Sequence, residues 1–372
     1  MRPATGARTK EPGSGTGRGT GMGAATGTAR GTTVGTTVGT GSDMAAGIGT
    51  GTAAGVRAGL VAGEGSAVAR GAATGEQRRI GRVEVGAIGL GAMPLSIEGR
   101  PDEARAIATI HAALDAGVTL IDTADAYHRD AGEAGHNELL VAKALDAYGG
   151  DRSAVLVATK GGRGRPGDGS WTVTGDPDHL RRAAHASLRR LGGDSIGLYQ
   201  LHKPDPAVPF ADSVGALKEM HDEGLLRAVG LSNVTVEQIL EARGILGDAL
   251  VSVQNEYSAA VRDSEAQLRL CEELGLAFLP WSPLGGISRS SLDGASGPTS
   301  AGTAFHRVAA AHGVGPQRVA LAWLLARSPA MVPVPGASRP ETIRDSAAAA
   351  GLRLDAAELA LLDAPDALDV RG

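Results

Sequence analysis

Short apolar runs alternate with helix-patterned stretches along most of the chain, and that rhythm narrows the choice of fold more than any other feature. Strand-like segments occur at 83–91, 118–122, 154–160, 196–202, 226–232, 250–255, 276–281 and 331–335. Helical spacing fills the intervals, at 101–116, 136–147, 178–191, 211–223, 236–243, 265–274, 305–311 with 316–326, and 341–350, followed by 356–363. Asp176 or Asp178 is available as an N-cap for the third of these helices. Strands that alternate with helices make βαβ units and a parallel sheet. About eight pairs over roughly 290 residues are the signature of a closed (β/α)8 TIM barrel. The competing fold is an open doubly wound sheet, which sets phosphate-binding glycines after its first strand, at the opening of a helix. Here Gly89-Leu-Gly-Ala-Met is followed by Pro94 and a polar loop, and no acidic residue completes a dinucleotide fingerprint.

The barrel is expected over 77–372. Residues 1–76 are different material, dominated by Gly, Thr and Ala, with almost no large apolar side chain. Such a segment buries too little surface to offset its ordering entropy and reads as a disordered low-complexity extension. It lacks a continuous apolar h-region, a twin arginine near its start and a membrane-spanning run. A translation start further along the chain would remove it altogether. Hydrophobic residues make up 42% of the chain but aromatics only 3%, so the core must be aliphatic. The net charge of −5 argues against a nucleic-acid footprint, which would be basic. Cys271 is the only cysteine, which rules out an internal disulfide and a cysteine metal cluster. Its expected place is the apolar face of a helix, as an inert buried thiol.

Chemistry in such a barrel sits at the C-terminal ends of the strands. Taken in order, those ends are Met93, Asp122, Lys160, His202, Ser232-Asn233, Gln254, Trp281-Ser282 and Gly336. Polar or ionisable residues close strand after strand. Lys160 follows the apolar run Val155-Leu-Val-Ala-Thr, so its stem should be buried. A buried ammonium needs an anion or its pKa falls, and Asp122 ends the neighbouring strand. Alone, that pair reads equally well as a structural ion bridge. Tyr127 lies just past the same strand end as Asp122, where a neighbouring Lys⁺ is expected to lower the phenol's ordinary value near 10. The phenol would then serve as a general acid toward a carbonyl oxygen. His202, taken alone a structural histidine, is positioned to donate to the same oxygen.

These residues resemble the aldo-keto reductase superfamily. The matching pieces are Asp122-Thr-Ala-Asp-Ala-Tyr127, Ala158-Thr-Lys160, Leu198-Tyr-Gln-Leu-His202, Gly230-Leu-Ser-Asn233, Gln254-Asn-Glu-Tyr257, Trp281-Ser-Pro-Leu-Gly and Val334-Pro-Gly-Ala-Ser338. The finer texture, including Gly135-His-Asn-Glu138 and His202-Lys-Pro-Asp-Pro, is similar to the bacterial branch that includes pyridoxal reductases. The resemblance implies a metal-free oxidoreductase that reduces an aldehyde or ketone with NADPH, or NADH. Asp122, Tyr127, Lys160 and His202 would be its catalytic tetrad. The cofactor would lie across the barrel mouth near Met93, its carboxamide held by Ser232, Asn233 and Gln254. Trp281 would stack on the nicotinamide, and Ser282, Pro283, Leu284 and Gly285 would lie along the pyrophosphate. Gly336, Ala337, Ser338 and Arg339, with Arg344 and Asp345 further on, would meet the far phosphate, because a helix starting near Pro340 offers its N-terminus to anions. Many members carry Lys at the place of Gly336, Arg at that of Thr342 and Asn at that of Ser346. Arg339 or Arg344 would have to replace the missing cations, unless both are solvated surface.

The expected partner is a small-molecule carbonyl, with no nucleic acid and no membrane, for a cytoplasmic monomer or weak homo-oligomer. The alternative is a cofactor-binding regulatory or docking protein on the same barrel with little turnover. Trp171 either walls a substrate pocket or lies on the surface. The Gly- and Ser-rich loop 285–303 is either a cofactor clasp or a plain connection.

Overall fold

A computed structural model describes residues 76–285, 287 and 302–369. The extension expected over 1–76 lies, apart from Glu76, outside the described residues, as does nearly all of the expected 285–303 clasp.

The chain opens with an antiparallel hairpin, β1 (Gln77–Ile80) and β2 (Val83–Gly86), where one continuous strand over 83–91 was expected. Only Leu90–Gly91 of that segment, β3, joins the main sheet. Gln77, Arg79, Val83 and Glu84 of the hairpin are exposed, while Ile80 and Val85 are buried. Gly86 N–H donates to Thr119 Oγ1, and Arg78 donates to the carbonyls of Leu325 and Met331. Gly81 has a left-handed backbone (φ 58°), and a Cβ there would lie 2.6 Å from Val251 Cγ1. The hairpin therefore closes the floor of the sheet, where the strands begin.

The parallel sheet follows in chain order: β3, β4 (Leu120–Asp122), β5 (Leu156–Gly161), β8 (Leu198–Leu201), β9 (Val229–Ser232), β10 (Leu250–Gln254) and β11 (Ala277–Phe278). Residues 331–336 complete the circle. Met331 bridges to Phe278 on one side, and Gly336 bridges to Gly91 on the other, both parallel. Gly89 N–H donates to Pro333 O and Gly91 N–H to Pro335 O, while Val332 N–H donates to Phe278 O. Pro333 and Pro335 have no N–H to return, so this eighth strand bonds its neighbours without a regular ladder. The result is the closed (β/α)8 barrel that the alternation implied. Leu120, Ala158, Leu198, Leu279, Val332 and Val334 fill its interior above Ile80 and Val85.

The helices run outside. They are α1 (Glu103–Asp115), α2 (His136–Ala147), α3 (Pro177–Leu191), α4 (Phe210–Asp222), α5 (Val236–Leu246), α6 (Glu265–Leu274), α7 (Ala304–His312), α8 (Pro316–Arg327), α9 (Pro340–Ala347) and α10 (Ala356–Asp363). The helix start signals are side-chain caps: Asp102 accepts from Arg105 N–H, Asp176 from His179 N–H, and Thr235 from Gln238 N–H. Asp176, not Asp178, is thus the third helix's cap. α1 packs on both α2 and α9, which joins the two ends of the helical ring. The stretch expected as one helix over 341–350 divides into α9 and a 3-10 turn, Ala348–Gly351. Cys271 is buried on α6, and burial pushes its thiol up to about 12. No helix among the described residues is long and apolar enough to cross a bilayer.

Sequence periodicity did not mark a second hairpin, β6 (Arg163–Gly164) with β7 (Thr172–Val173). It rises from the end of β5 and carries Trp171 over the barrel mouth.

Candidate active site

The C-terminal ends of β4, β5 and β8 bring Asp122, Lys160 and His202 side by side, because in-register parallel pairing aligns the strand ends. Tyr127 returns from the turn after β4. Lys160 is fully buried and donates to three oxygens: Asp122 Oδ2 at 2.7 Å, Thr123 O at 2.9 Å and Tyr127 Oη at 3.0 Å. The other oxygen of Asp122 accepts from Gln254 Nε2 at 2.9 Å and Gln200 Nε2 at 3.2 Å. Each carboxylate lone-pair direction that faces the interior is therefore answered, which is what keeps a buried ion pair in place.

Burial opposes the charge on Lys160, but Asp122 and Tyr127 outweigh it and hold its pKa above the ordinary value. The phenol departs from expectation. Burial raises the pKa of Tyr127 more than the Lys160 charge lowers it, so the net shift is upward rather than downward. With no solvent to share the phenolate, one ammonium already committed to Asp122 does not offset desolvation. His202 is driven well below its ordinary value by burial, then by Lys160 and Arg163, so its ring is neutral. Its Nδ1 is buried without a partner. Its ring meets that of Tyr127 edge-on, with centroids 5.6 Å apart.

Trp171 settles into the site rather than onto the surface. Its ring lies 6.4 Å from Tyr127 and 6.2 Å from His202, both in edge contact. Arg163 and Arg165 stack on the same indole, at 4.5 and 4.8 Å from its centroid.

A cavity of about 570 Å³ opens above these side chains. Of the expected residues, Asp122, Tyr127, His202, Met93, Ser232, Asn233, Gln254 and Trp281 line it, as do Ser282, Pro283, Leu284, Gly285, Gly336, Arg339 and Asp345. Lys160 lies beneath it. Ala337, Ser338 and Arg344 are not part of the wall: Ala337 is buried beneath, and Arg344 is turned to solvent in the last turn of α9. Of the two candidate cations at this end, Arg339 is the one the structure brings to the cavity. Arg163, which lies in the loop 161–171 expected to help set substrate specificity, also lines it, as do Gln317 and Glu341, which no sequence signal marked.

Two described non-glycine residues have left-handed backbones, Asn233 (φ 60°) and Ser282 (φ 48°), and both line this cavity. Such conformations cost free energy and concentrate at functional sites. Asn233 is held there by Nδ2, which donates to His202 O at 2.9 Å and Ser232 Oγ at 3.0 Å. Trp281 enters through its backbone, bridged to Glu256, and its buried indole Nε1 has no partner. Asp345 is ion-paired to Arg318. Gly336 explains its own identity: a Cβ there would come 2.8 Å from Pro94 Cγ. At Gly91 a Cβ would come 2.7 Å from Val334 O, and at Gly285 2.7 Å from Ser258 Oγ. At these three places along the cavity wall the close approach of neighbouring chain leaves no room for a Cβ.

Residues 87–367 match the model of the aldo/keto reductase family. An uncharacterized oxidoreductase of Schizosaccharomyces pombe is 37% identical over 290 residues, which cover 77% of this chain and 88% of the relative. The pyridoxine 4-dehydrogenase of Escherichia coli, a bacterial relative, is 37% identical over 294 residues, covering 76% of this chain and 96% of its own. Among solved structures, an aldo/keto reductase from Klebsiella pneumoniae in complex with NADP and acetate superposes with a TM-score of 0.63 and 28% identity, over 77% of this chain and 94% of that one. The barrel, the strand-end constellation and a match running through nearly the whole described chain converge: this protein belongs to the aldo/keto reductase family of oxidoreductases.

Proposed function

We propose that the chain reduces an aldehyde or ketone to an alcohol with NADPH, NADH being the lesser alternative, and that Tyr127 is the proton donor. One observation carries this reading. The Tyr127 hydroxyl sits 3.0 Å from a buried ammonium that Asp122 keeps charged, at the floor of a cavity of about 570 Å³.

The residues fit the cofactor. Gly91, Gly285 and Gly336 line the cavity with backbone alone, Trp281 offers an aromatic face, and the unpartnered Trp281 Nε1 is a free donor. Ser232, Asn233 and Gln254 converge where an amide would be held. Arg339, at the N-terminal end of α9, is the cation available for a 2′-phosphate. When bound, the reduced nicotinamide supplies a hydride to the carbonyl carbon.

The chain's own side chains deal with the oxygen. Tyr127 remains a neutral phenol at physiological pH, because burial raises its pKa, and so keeps a proton to give. Neutral His202, with nothing for Nδ1 to donate to, carries its hydrogen on Nε2 and offers it to the same oxygen. As the oxygen gains charge, Lys160 stabilises the phenolate that Tyr127 becomes. Trp171 shields this end from water and so strengthens each of these interactions.

The test is a titration of the purified chain with NADPH and NADH, followed by tryptophan fluorescence. A panel of aldehydes is then added, and the reduced-nicotinamide absorbance is followed. Pyridoxal belongs in the panel because of the pyridoxine 4-dehydrogenase relationship. Binding with turnover is expected; binding without turnover on any carbonyl would overturn the reductase reading.

A further inference from the structure

Arg163 is left over once the reaction has been assigned. It stands on β6, half-buried, and lines the cavity at the end where Trp171, Tyr127 and His202 meet. Its guanidinium carbon lies over the indole of Trp171, 4.5 Å from the ring centroid. Its Nε is buried without an acceptor, and among the described residues it forms no ion pair.

The contrast with Arg165, two residues along the same hairpin, is direct. Arg165 stacks on the same indole, but Nη1 donates to His128 O at 2.6 Å and Nη2 to Glu98 at 2.7 Å. The chain has neutralised one of the pair and left the other. A guanidinium is protonated at every physiological pH, and holding one out of water without a counter-ion costs free energy. Burial accordingly lowers the pKa of Arg163, and no carboxylate opposes this.

The other charges around the cavity do not answer it, and Glu341, the remaining carboxylate of the lining, stands in the first turn of α9 beside Arg339 and forms no ion pair with Arg163. Asp122 is committed to Lys160, and Asp345 to Arg318. Arg339 is at the opposite end, beside α9, where the dinucleotide phosphates would lie. His202 is neutral. The wall that faces a substrate therefore carries one unsatisfied positive charge, backed by an aromatic plane. That is a receptor for an oxyanion, which a guanidinium can grip by two parallel hydrogen bonds.

We propose that Arg163 selects carbonyl substrates that carry a second, anionic group, a carboxylate or a phosphate, remote from the carbon that is reduced. The inference rests on the reductase reading above and names the substrate class of that same site. The charged group settles on Arg163 while the carbonyl oxygen reaches Tyr127 and His202. Arg163 is thus a specificity-determining residue, and the binding free energy it contributes should be expressed chiefly in KM.

The test compares carbonyls that differ only in charge. 4-Carboxybenzaldehyde is set against 4-formylbenzamide, and succinic semialdehyde against its amide, with saturating NADPH. In the unaltered protein the anionic member of at least one pair should have a kcat/KM at least tenfold higher, with most of the difference in KM. In Arg163→Gln the ratio should fall toward one, and in Arg163→Lys it should be intermediate, since the charge is kept but the two-pronged geometry is lost. The ratio within each protein is the readout, so a general loss of activity does not imitate the effect. If the neutral amides are reduced as well as the acids by the unaltered protein, the proposal fails while the reductase stands. If the ratio survives in Arg163→Gln, the anion is held elsewhere and the proposal also fails. If no carbonyl is reduced although NADPH binds, the reductase reading itself is wrong.

Discussion

Replacing Lys160 by Met tests the buried charge cluster without reference to any substrate. The ammonium has no exposed surface, and it satisfies Asp122 Oδ2, Thr123 O and Tyr127 Oη at once. Methionine nearly matches the stem in volume, so packing changes little. What is lost is the only cation that Asp122 contacts among the described residues. The carboxylate, itself buried, keeps two amide donors on Oδ1 and none of those bonds on Oδ2. Removing one partner of a buried pair typically costs about 3–5 kcal/mol, mostly from the charge left behind. The second replacement, Asp122→Asn, removes that charge. The amides of Gln200 and Gln254 can then turn, and Gln200 Oε1, now buried without a donor, gains one. The double variant Lys160→Met/Asp122→Asn should therefore be more stable than Lys160→Met alone, with a coupling of about 1–3 kcal/mol. Urea unfolding followed by fluorescence and by circular dichroism would measure it, provided the two probes agree. Strict additivity of the two replacements, or a loss below about 1 kcal/mol for Lys160→Met, would refute the argument that Asp122 depends on this ammonium.

Three further outcomes are expected. Tyr127→Phe should lower turnover by roughly 10²–10⁴-fold while leaving the NADPH titration unchanged, since the phenol serves the substrate oxygen and not the dinucleotide; near-full activity would remove Tyr127 as the proton donor. Asp125 is buried with Oδ1 unpartnered, and burial, then Glu138, raises its pKa from 3.8 to about 8. Between those values the folded carboxyl keeps a proton that the unfolded chain has released. Unfolding then gives up a proton, so stability falls as pH rises through that window and levels off above it. Asp125→Asn should flatten this slope and be the more stable protein at pH 9, and an unchanged profile in thermal melts at pH 5, 7 and 9 would count against it. Gly336→Ala should cost about 1–3 kcal/mol because its Cβ meets Pro94 Cγ at 2.8 Å, and adding Pro94→Ala should restore part of the loss in the same melts.

The barrel was legible because its strands are buried on both faces. Val229–Ser232 and Leu250–Gln254 are apolar runs bounded by amphipathic helices, a pattern that survives any detail of packing. What failed to show were elements stabilised from outside themselves. The floor hairpin has adjacent arginines and only three buried residues, Ile80, Val85 and Gly86, and owes its place to Thr119, Leu325 and Met331. The hairpin that carries Trp171 is two residues on each side, too short for any period. The eighth strand could be recognised as apolar, but its two prolines hid that it would bond to Gly89 and Gly91 rather than form a ladder.

The sequence by itself determined which chemical groups end each strand, and hence that Asp122, Lys160, His202 and the turn bearing Tyr127 meet at one rim. Parallel pairing in register makes that a consequence of order along the chain. The tertiary structure alone decided what those groups are like once together. A pKa depends on everything packed around a group, so burial could reverse the expected sign for Tyr127. Whether an arginine is paired depends on which carboxylates the fold brings near, so Arg165 met Glu98 and Arg163 met none among the described residues. Spacing along a chain carries the first kind of information; only the distances of the folded state carry the second.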